Sequence, residues 1–239
     1  MEELTRTADA LMGQNRWAEA EQLFLRSRER AEQNGSPSLE LSICSELLGF
    51  YRMGGNPSAF EPVWRRTLEL LDSVRTEPSA RGTILINGAT ALTSFGRAAE
   101  AMPYFHQAED CFRNLPAGDP RLAALLNNMA AARESLGDLA GAGELIRRAV
   151  AVLRIRGLHP DIAVSYVNLA QLCARQPGEE LRAEEYLDAA MAVLDDPALV
   201  WDSYYAHTAR KCAGAFTALG RPEQGQDLEE RAALIYEGT

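Results

Sequence analysis

Histidine and carboxylate side chains are the first candidates for chemistry in this sequence, and their spacing argues against a catalytic or metal centre. The three histidines, His106, His159 and His207, lie far apart and form no HExxH pair, which is the helical spacing of many zinc enzymes. No GxSxG motif marks a nucleophilic serine. The sequence therefore predicts a protein that is not an enzyme and that has no metal and no cofactor. An enzyme remains the third hypothesis.

The cysteines are similarly uninformative as a chemical group. Cys44, Cys111, Cys173 and Cys212 are widely separated, and no two of them form a CxxC pair. Such spacing favours neither a zinc site nor a disulfide framework. We expect buried, reduced thiols that pack as small apolar side chains.

Charge and composition exclude several classes of partner. The chain has 239 residues and a formal net charge of −10, with 46% hydrophobic and 24% charged residues. Because a net anion repels polyanions, we expect no nucleic acid and no membrane partner. No stretch approaches the ~20 apolar residues that span a bilayer, and residues 1–13 lack the apolar core of a signal peptide. The sequence predicts a soluble, cytoplasmic protein.

A period of about 41 residues organises the chain. Candidate turn residues recur at intervals of 40, 41, 41, 41 and 42, namely Asn15, Gly55, Gly96, Gly137, Gly178 and Gly220. A second series consists of prolines spaced 41, 42, 40 and 37 residues apart, namely Pro37, Pro78, Pro120, Pro160 and Pro197. Proline favours the first position of a helix, and glycine favours the position after its end. Each proline is therefore predicted to open a helix that the next glycine ends.

A second amphipathic segment follows each turn, so that every period contains two helices. Five residues past the turn the side chain is mostly small, at Ala20, Phe60, Ala101, Ala142, Ala183 and Gly225. Nine past it the side chain is large and apolar except at Glu229, the series being Phe24, Trp64, Phe105, Ile146, Leu187 and Glu229. Twelve past it the slot is small again, at Ser27, Thr67, Ala108, Ala149, Ala190 and Ala232. Small residues let paired helices approach, and the large one fills the space between pairs.

These slots resemble those of tetratricopeptide repeats, and the segments 126–130 and 159–170 are similar to the longer repeats of the kinesin light chain type. The resemblance covers about residues 2–237. It implies an all-α, right-handed superhelical solenoid of about six antiparallel helix pairs. We expect one domain over 1–239, with repeats at about 2–36, 37–77, 78–119, 120–159, 160–196 and 197–237. It further implies a protein interaction scaffold whose first helices line a concave groove.

The candidate partner-binding residues lie on those first helices. In similar proteins, asparagines nine residues before the turn bind the backbone of an extended peptide, which corresponds here to Asn87, Asn128 and, one residue further from its turn, Asn168. An amide both donates and accepts, as an extended backbone requires. The full predicted set is Asn87, Asn127, Asn128, Asn168, Arg52, Gln171, Arg175 and Lys211. The alternative is that these asparagines satisfy a neighbouring helix and bind no ligand.

Two functional hypotheses follow from this organisation. The first is an adaptor whose groove binds a protein partner, as an extended peptide or a partner helix, with a weak preference for acidic segments because of Arg52, Arg175 and Lys211. The second is a self-associating assembly module, or a sensor that regulates a separate enzyme or transcription factor. Glu229 in an apolar slot indicates a polar end to the array, whereas Leu234–Tyr236 could pack on another molecule, so a homo-oligomer stays open.

Overall fold

The computed structural model describes residues 1–157 and 159–237, and within these ranges the chain forms twelve α-helices and no β-strand. The helices are α1 Glu2–Gly13, α2 Trp17–Gln33, α3 Pro37–Met53, α4 Pro57–Ser73, α5 Pro78–Ser94, α6 Ala98–Cys111, α7 Pro120–Ser135, α8 Leu139–Arg154, α9 Asp161–Ala174, α10 Glu180–Leu194, α11 Ser203–Ala218 and α12 Pro222–Glu237. They form six consecutive pairs joined by short turns. We call the odd-numbered helices A helices and the even-numbered ones B helices. The predicted all-α array of helix pairs is confirmed.

Left-handed backbone conformations occur at all six predicted turn residues. Their φ angles are 59° at Asn15, 61° at Gly55, 78° at Gly96, 83° at Gly137, 86° at Gly178 and 85° at Gly220. Glycine adopts this conformation without the Cβ clash that other residues suffer, and asparagine tolerates it better than most. The turn series is therefore the feature that sets where each A helix ends.

The proline series is confirmed at three positions and is wrong at the last. Pro37, Pro78 and Pro120 are the first residues of α3, α5 and α7, and Pro160 immediately precedes α9. Pro197 instead lies in a turn that the Asp196 carboxylate stabilises by accepting from the Ala198 N–H at 2.8 Å.

The helix after Pro197 starts later because another residue caps it. The Asp202 carboxylate accepts from the Tyr205 N–H at 2.9 Å, so α11 begins at Ser203. An aspartate at this position supplies a partner for one of the free N–H groups of the first turn. This cap accounts for the short proline interval of 37 residues.

The three slots after each turn form the core as predicted. The small slot and the large slot of the first five pairs are buried throughout, and Phe60, Phe105 and Leu187 are 0% exposed. Two slot residues differ from the rest: Glu229 is exposed, and Ser27 of the third slot is half-buried. Large side chains meet glycine where helices cross most closely, as where the Trp64 indole covers Gly88. The core therefore consists of alternating large and small side chains.

The helix pairs group into two compact units, residues 1–114 with α1–α6 and residues 115–239 with α7–α12. Each unit contains three helix pairs. The single domain over 1–239 with the predicted repeat bounds stays a prediction. None of the described helices is both long and apolar enough to cross a membrane.

Candidate functional site

The asparagine of the first unit, Asn87, joins two A helices. It lies half-buried on α5, and its Nδ2 donates to the Ser45 Oγ of α3 at 3.3 Å. Ser45 stands ten residues before its turn residue and Asn87 nine residues before the next one. The bond therefore links adjacent positions of two neighbouring A helices.

The second unit repeats this arrangement with more bonds. Asn168 on α9 donates from Nδ2 to the Asn127 Oδ1 of α7 at 3.2 Å. Asn127 in turn donates to the Ser165 Oγ at 3.0 Å and to the carbonyl of Ala123 on its own helix at 3.1 Å. We call the bonds among Asn127, Ser165 and Asn168 the α7–α9 clasp. It orients both amides and fixes the spacing of the two helices.

Asn128 has a different environment from the clasp. Its Nδ2 donates to the Ala124 carbonyl at 2.9 Å, one turn back along α7, and its Oδ1 has no hydrogen bond within the described residues. Lys211 holds the same slot on α11, is exposed, and makes no hydrogen bond or ion pair with any described residue. These two side chains keep polar groups available to a ligand.

The other predicted residues divide into paired and unpaired groups. Arg175 is exposed, and its guanidinium forms an ion pair with Glu134 of α7. Arg52 on α3 and Gln171 on α9 are exposed, and neither has a polar partner in the described part of the chain. Because Glu134 already neutralises the charge of Arg175, only Arg52 and Lys211 still favour an acidic ligand.

The polar candidates of the second unit fall on one side of each A helix. Asn168, Gln171 and Arg175 are separated by three and four residues, which places them in one line along α9. The same spacing around Asn128 and Lys211 gives exposed small residues, at Ala124 and Ala131 on α7 and at Gly214 and Ala218 on α11. We call the surface of Asn128, Asn168, Gln171, Arg175 and Lys211 the amide face. Small neighbours leave room for an extended chain beside these amides.

Sequence reasoning missed the partners that occupy the asparagines. Ser45 and Ser165 accept the amide protons, and neither was a candidate. The Tyr204 hydroxyl likewise joins two A helices, since it donates to the Asp161 carboxylate of α9 at 2.7 Å. The available signal was a polar residue in an adjacent repeat, near the asparagine slot. Hydrogen bonds between helices about 41 residues apart become visible only once the pairs are stacked.

The four cysteines are free thiols that lie wholly or partly buried. Cys44, Cys173 and Cys212 are buried, Cys111 is half-buried, and all four are free. Burial raises the pKa of Cys44 to about 11 and that of Cys212 to about 12, so both carry their protons at neutral pH. No group of three or more metal-ligating side chains gathers anywhere in the described ranges.

Part of the chain matches a protein family in sequence, and most of it is similar in structure to solved repeat proteins. A tetratricopeptide repeat family model matches residues 121–196. No curated protein sequence matches the chain. Among solved structures, TPR-like repeats of a kinesin light chain of Podosopora anserina superpose with a TM-score of 0.57 at 22% identity, covering 84% of this chain and 96% of that one. BtubC (BKLC) from P. vanneervenii gives 0.60 at 18% identity, covering 94% and 91%.

The match to the family model lies in the second unit, where the amide face is found. The structural similarity extends over most of the chain at identities too low to carry function. Residues 121–196 thus match the tetratricopeptide repeat family, and the chain as a whole shares the all-α repeat fold of these solved structures.

Proposed function

We propose that this chain is a non-enzymatic interaction scaffold that binds an extended segment of a partner protein along the amide face. The tetratricopeptide repeat fold is typical of protein interaction scaffolds, because stacked pairs present a long surface that no single repeat has. The observation that carries the proposal is a set of side-chain polar groups on three successive A helices that have no partner among the described residues. They are the Asn128 Oδ1, the Gln171 carboxamide and the Lys211 ammonium.

The chemistry of these groups suits a peptide backbone. An extended chain presents unpaired N–H and C=O groups along its edges, and side-chain amides can bind both. The α7–α9 clasp supports the site from beneath, since Asn127 and Ser165 hold Asn168 in one orientation. Asn127 is thus proposed to position the site, and Asn128, Asn168, Gln171 and Lys211 to contact the partner. A clasped amide has lost part of its freedom before binding, which lowers the entropy cost of the complex.

The first unit adds a smaller candidate surface of its own. Asn87 keeps its Oδ1 after donating to Ser45, and Arg52 is exposed without a partner. Both lie on A helices, so we propose that they contact a partner of the same kind. Their contribution is measured separately from that of the amide face.

A capture experiment tests the proposal. The triple variant N128A/Q171A/K211A removes the unpaired groups and leaves the α7–α9 clasp intact, so we expect it to fold as the wild type does and to lose partners from a lysate of the source organism. The matched control is E185A/E223A, which changes two exposed B-helix carboxylates. Circular dichroism verifies the fold of each protein. Equal partner recovery by the triple variant and the wild type would contradict the proposal.

A further inference from the structure

An ion pair between consecutive repeats recurs in both units. The Arg97 guanidinium, directly after its turn glycine, donates to the Glu61 carboxylate of the preceding B helix at 2.6 Å. Arg221, also directly after its turn glycine, donates from Nε to the Glu184 carboxylate of the preceding B helix at 2.8 Å. Glu61 and Glu184 both stand six residues after a turn residue. The fold therefore brings a post-turn arginine to this glutamate position.

Glu21 holds the same position on α2, six residues after Asn15, but it lacks its arginine. The residue directly after the next turn glycine is Asn56, whose carboxamide accepts from the Ala59 N–H at 3.1 Å and so caps α4. No cation among the described residues lies within 4.0 Å of the Glu21 carboxylate. The carboxylate therefore has no guanidinium partner within the described ranges.

A cavity of about 440 Å³ lies beside Glu21. Its lining consists of Trp17, Ala18, Glu21, Phe50, Tyr51, Met53, Gly54 and Asn56, of which Glu21 is the single charged member. The Trp17 and Phe50 ring centroids are 5.5 Å apart, and Phe50 and Tyr51 are equally close. Desolvation by burial and the neighbouring Glu21 carboxylate raise the pKa of Tyr51, so its hydroxyl keeps its proton beside Glu21 at neutral pH.

We propose that this cavity binds the guanidinium of an arginine from a partner protein. A guanidinium pairs with a carboxylate through two parallel N–H groups, and it stacks on aromatic faces more readily than an ammonium does. Glu21 supplies the carboxylate, and Trp17 supplies a half-buried ring beside it. The chain places arginine against the equivalent glutamates Glu61 and Glu184, which identifies the preferred cation.

The electrostatic surroundings favour a cationic ligand. The chain carries a net charge of −10, which attracts a basic segment. Among the charges of α2 that act on Tyr51, the Glu21 carboxylate has a larger effect on its pKa than the Arg28 guanidinium. The site is formed by α2, α3 and the turn before α4 in the first unit, whereas the amide face belongs to the second unit. This inference therefore goes beyond the proposed function and does not depend on it.

Titration with a single blocked amino acid tests the site in the whole 239-residue chain. Nα-acetyl-arginine N-methylamide is added to ¹⁵N-labelled protein while the amide resonances of Ala18 and Gly54, two lining residues, are followed. We expect saturable shifts in the millimolar range, as befits one side chain. The citrulline analogue, which has the same shape without the charge, should bind at least tenfold more weakly. Equal binding of the two analogues, or no shift with the arginine compound, would overturn the proposal.

Substitutions at Glu21 and Asn56 test whether the Glu21 carboxylate binds the arginine. E21Q should reduce arginine affinity at least tenfold, whereas E32Q, an exposed carboxylate change on the same helix, should leave it unchanged. N56R places an arginine directly after the turn, as at Arg97, and should abolish binding by supplying the guanidinium from within the chain. Arginine binding that survives in both E21Q and N56R would also refute the site. Because the resonances belong to the first unit, this outcome is independent of the capture experiment on the amide face.

Discussion

Neighbouring asparagines on α7 differ in what their side chains bind. Asn127 exchanges hydrogen bonds with Ser165 and Asn168 of α9, whereas Asn128 donates to the Ala124 carbonyl of its own helix. A hydrogen bond between two helices forms only in the folded state and so contributes to its stability. A side-chain bond to a carbonyl of the same exposed helix contributes little to that stability. The two residues should therefore separate stability from binding.

The first prediction compares N168A with N128A. N168A removes the bond to Asn127 and should lower the free energy of unfolding by about 1 kcal/mol. N128A should change it by less than about 0.5 kcal/mol, while still weakening partner capture. Urea denaturation followed by circular dichroism measures both. A double-mutant cycle of Asn127 and Asn168 should give a coupling of about 1 kcal/mol, and additive losses would contradict the clasp.

The second prediction concerns how the stability of the fold depends on acidic pH. Asp119 is 6% exposed and bonds the Arg121 guanidinium at 2.7 and 2.9 Å and its backbone N–H at 3.0 Å. Chiefly through the Arg121 side chain, these contacts lower the pKa of Asp119 in the folded protein. The carboxylate therefore adds stability above its unfolded pKa of about 3.9, and this contribution is lost as the pH falls through the lower folded pKa.

The variant D119N isolates this charge, because asparagine can still cap α7. At pH 7 it should be less stable than the wild type by about 1 kcal/mol. The difference should disappear in acid as the wild-type carboxylate takes up its proton. Unfolding curves between neutral and acidic pH provide the measurement, and a difference that stayed constant with pH would show that the Asp119 charge is not its source.

At the scale of the helices, close crossing depends on particular glycines. A methyl group on Gly88 of α5 would overlap the Trp64 indole ring of α4, whereas one on Gly49 of α3 would meet no atom within 4 Å. Both glycines lie inside A helices. Alanine has the higher intrinsic helix propensity, so the space around each residue decides the sign of the effect.

The third prediction follows from this contrast. G88A should destabilise the protein by about 2 kcal/mol or more, because the added methyl group would overlap the buried Trp64 indole and force the two helices or the ring to shift. G49A should stabilise it by about 0.5 to 1 kcal/mol through helix propensity alone. Thermal unfolding of the two variants tests the pair. A stabilised G88A would mean that α4 and α5 separate easily at their crossing.

The helices were predictable from sequence where one residue type dictates the backbone. Positive φ at Gly137 and Gly220, and helix starts at Pro78 and Pro120, each follow from local chemistry. The prediction that Pro197 opens a helix was wrong because the cap at Asp202, five residues later, determines where α11 begins. For the candidate site, the sequence predicted which helix faces carry amides. It could not predict which of those amides other side chains occupy, since that depends on the register between stacked helices.

At the scale of the whole molecule, the sixth pair differs from the others on one side. The large apolar slot of the first five pairs becomes Glu229 here, and its carboxylate lies 3.5 Å from the Arg210 guanidinium. Arg210 also lies over the Tyr236 ring, 5.1 Å from its centroid. A charged pair and a partly exposed aromatic ring thus stand where the first five pairs have a buried apolar side chain. We therefore expect this face to disfavour association with a second copy.

The fourth prediction tests that role. E229L restores an apolar side chain beside Tyr236 and Leu234, which is 69% exposed, and removes the partner of Arg210. We expect E229L to associate as its concentration rises, while the wild type keeps the monomer mass of 26.2 kDa in light scattering. E230L adds the same apolar group at the adjacent position, off the slot, and should stay monomeric. Association of the wild type itself would favour the self-assembly hypothesis over a scaffold that acts as a single chain.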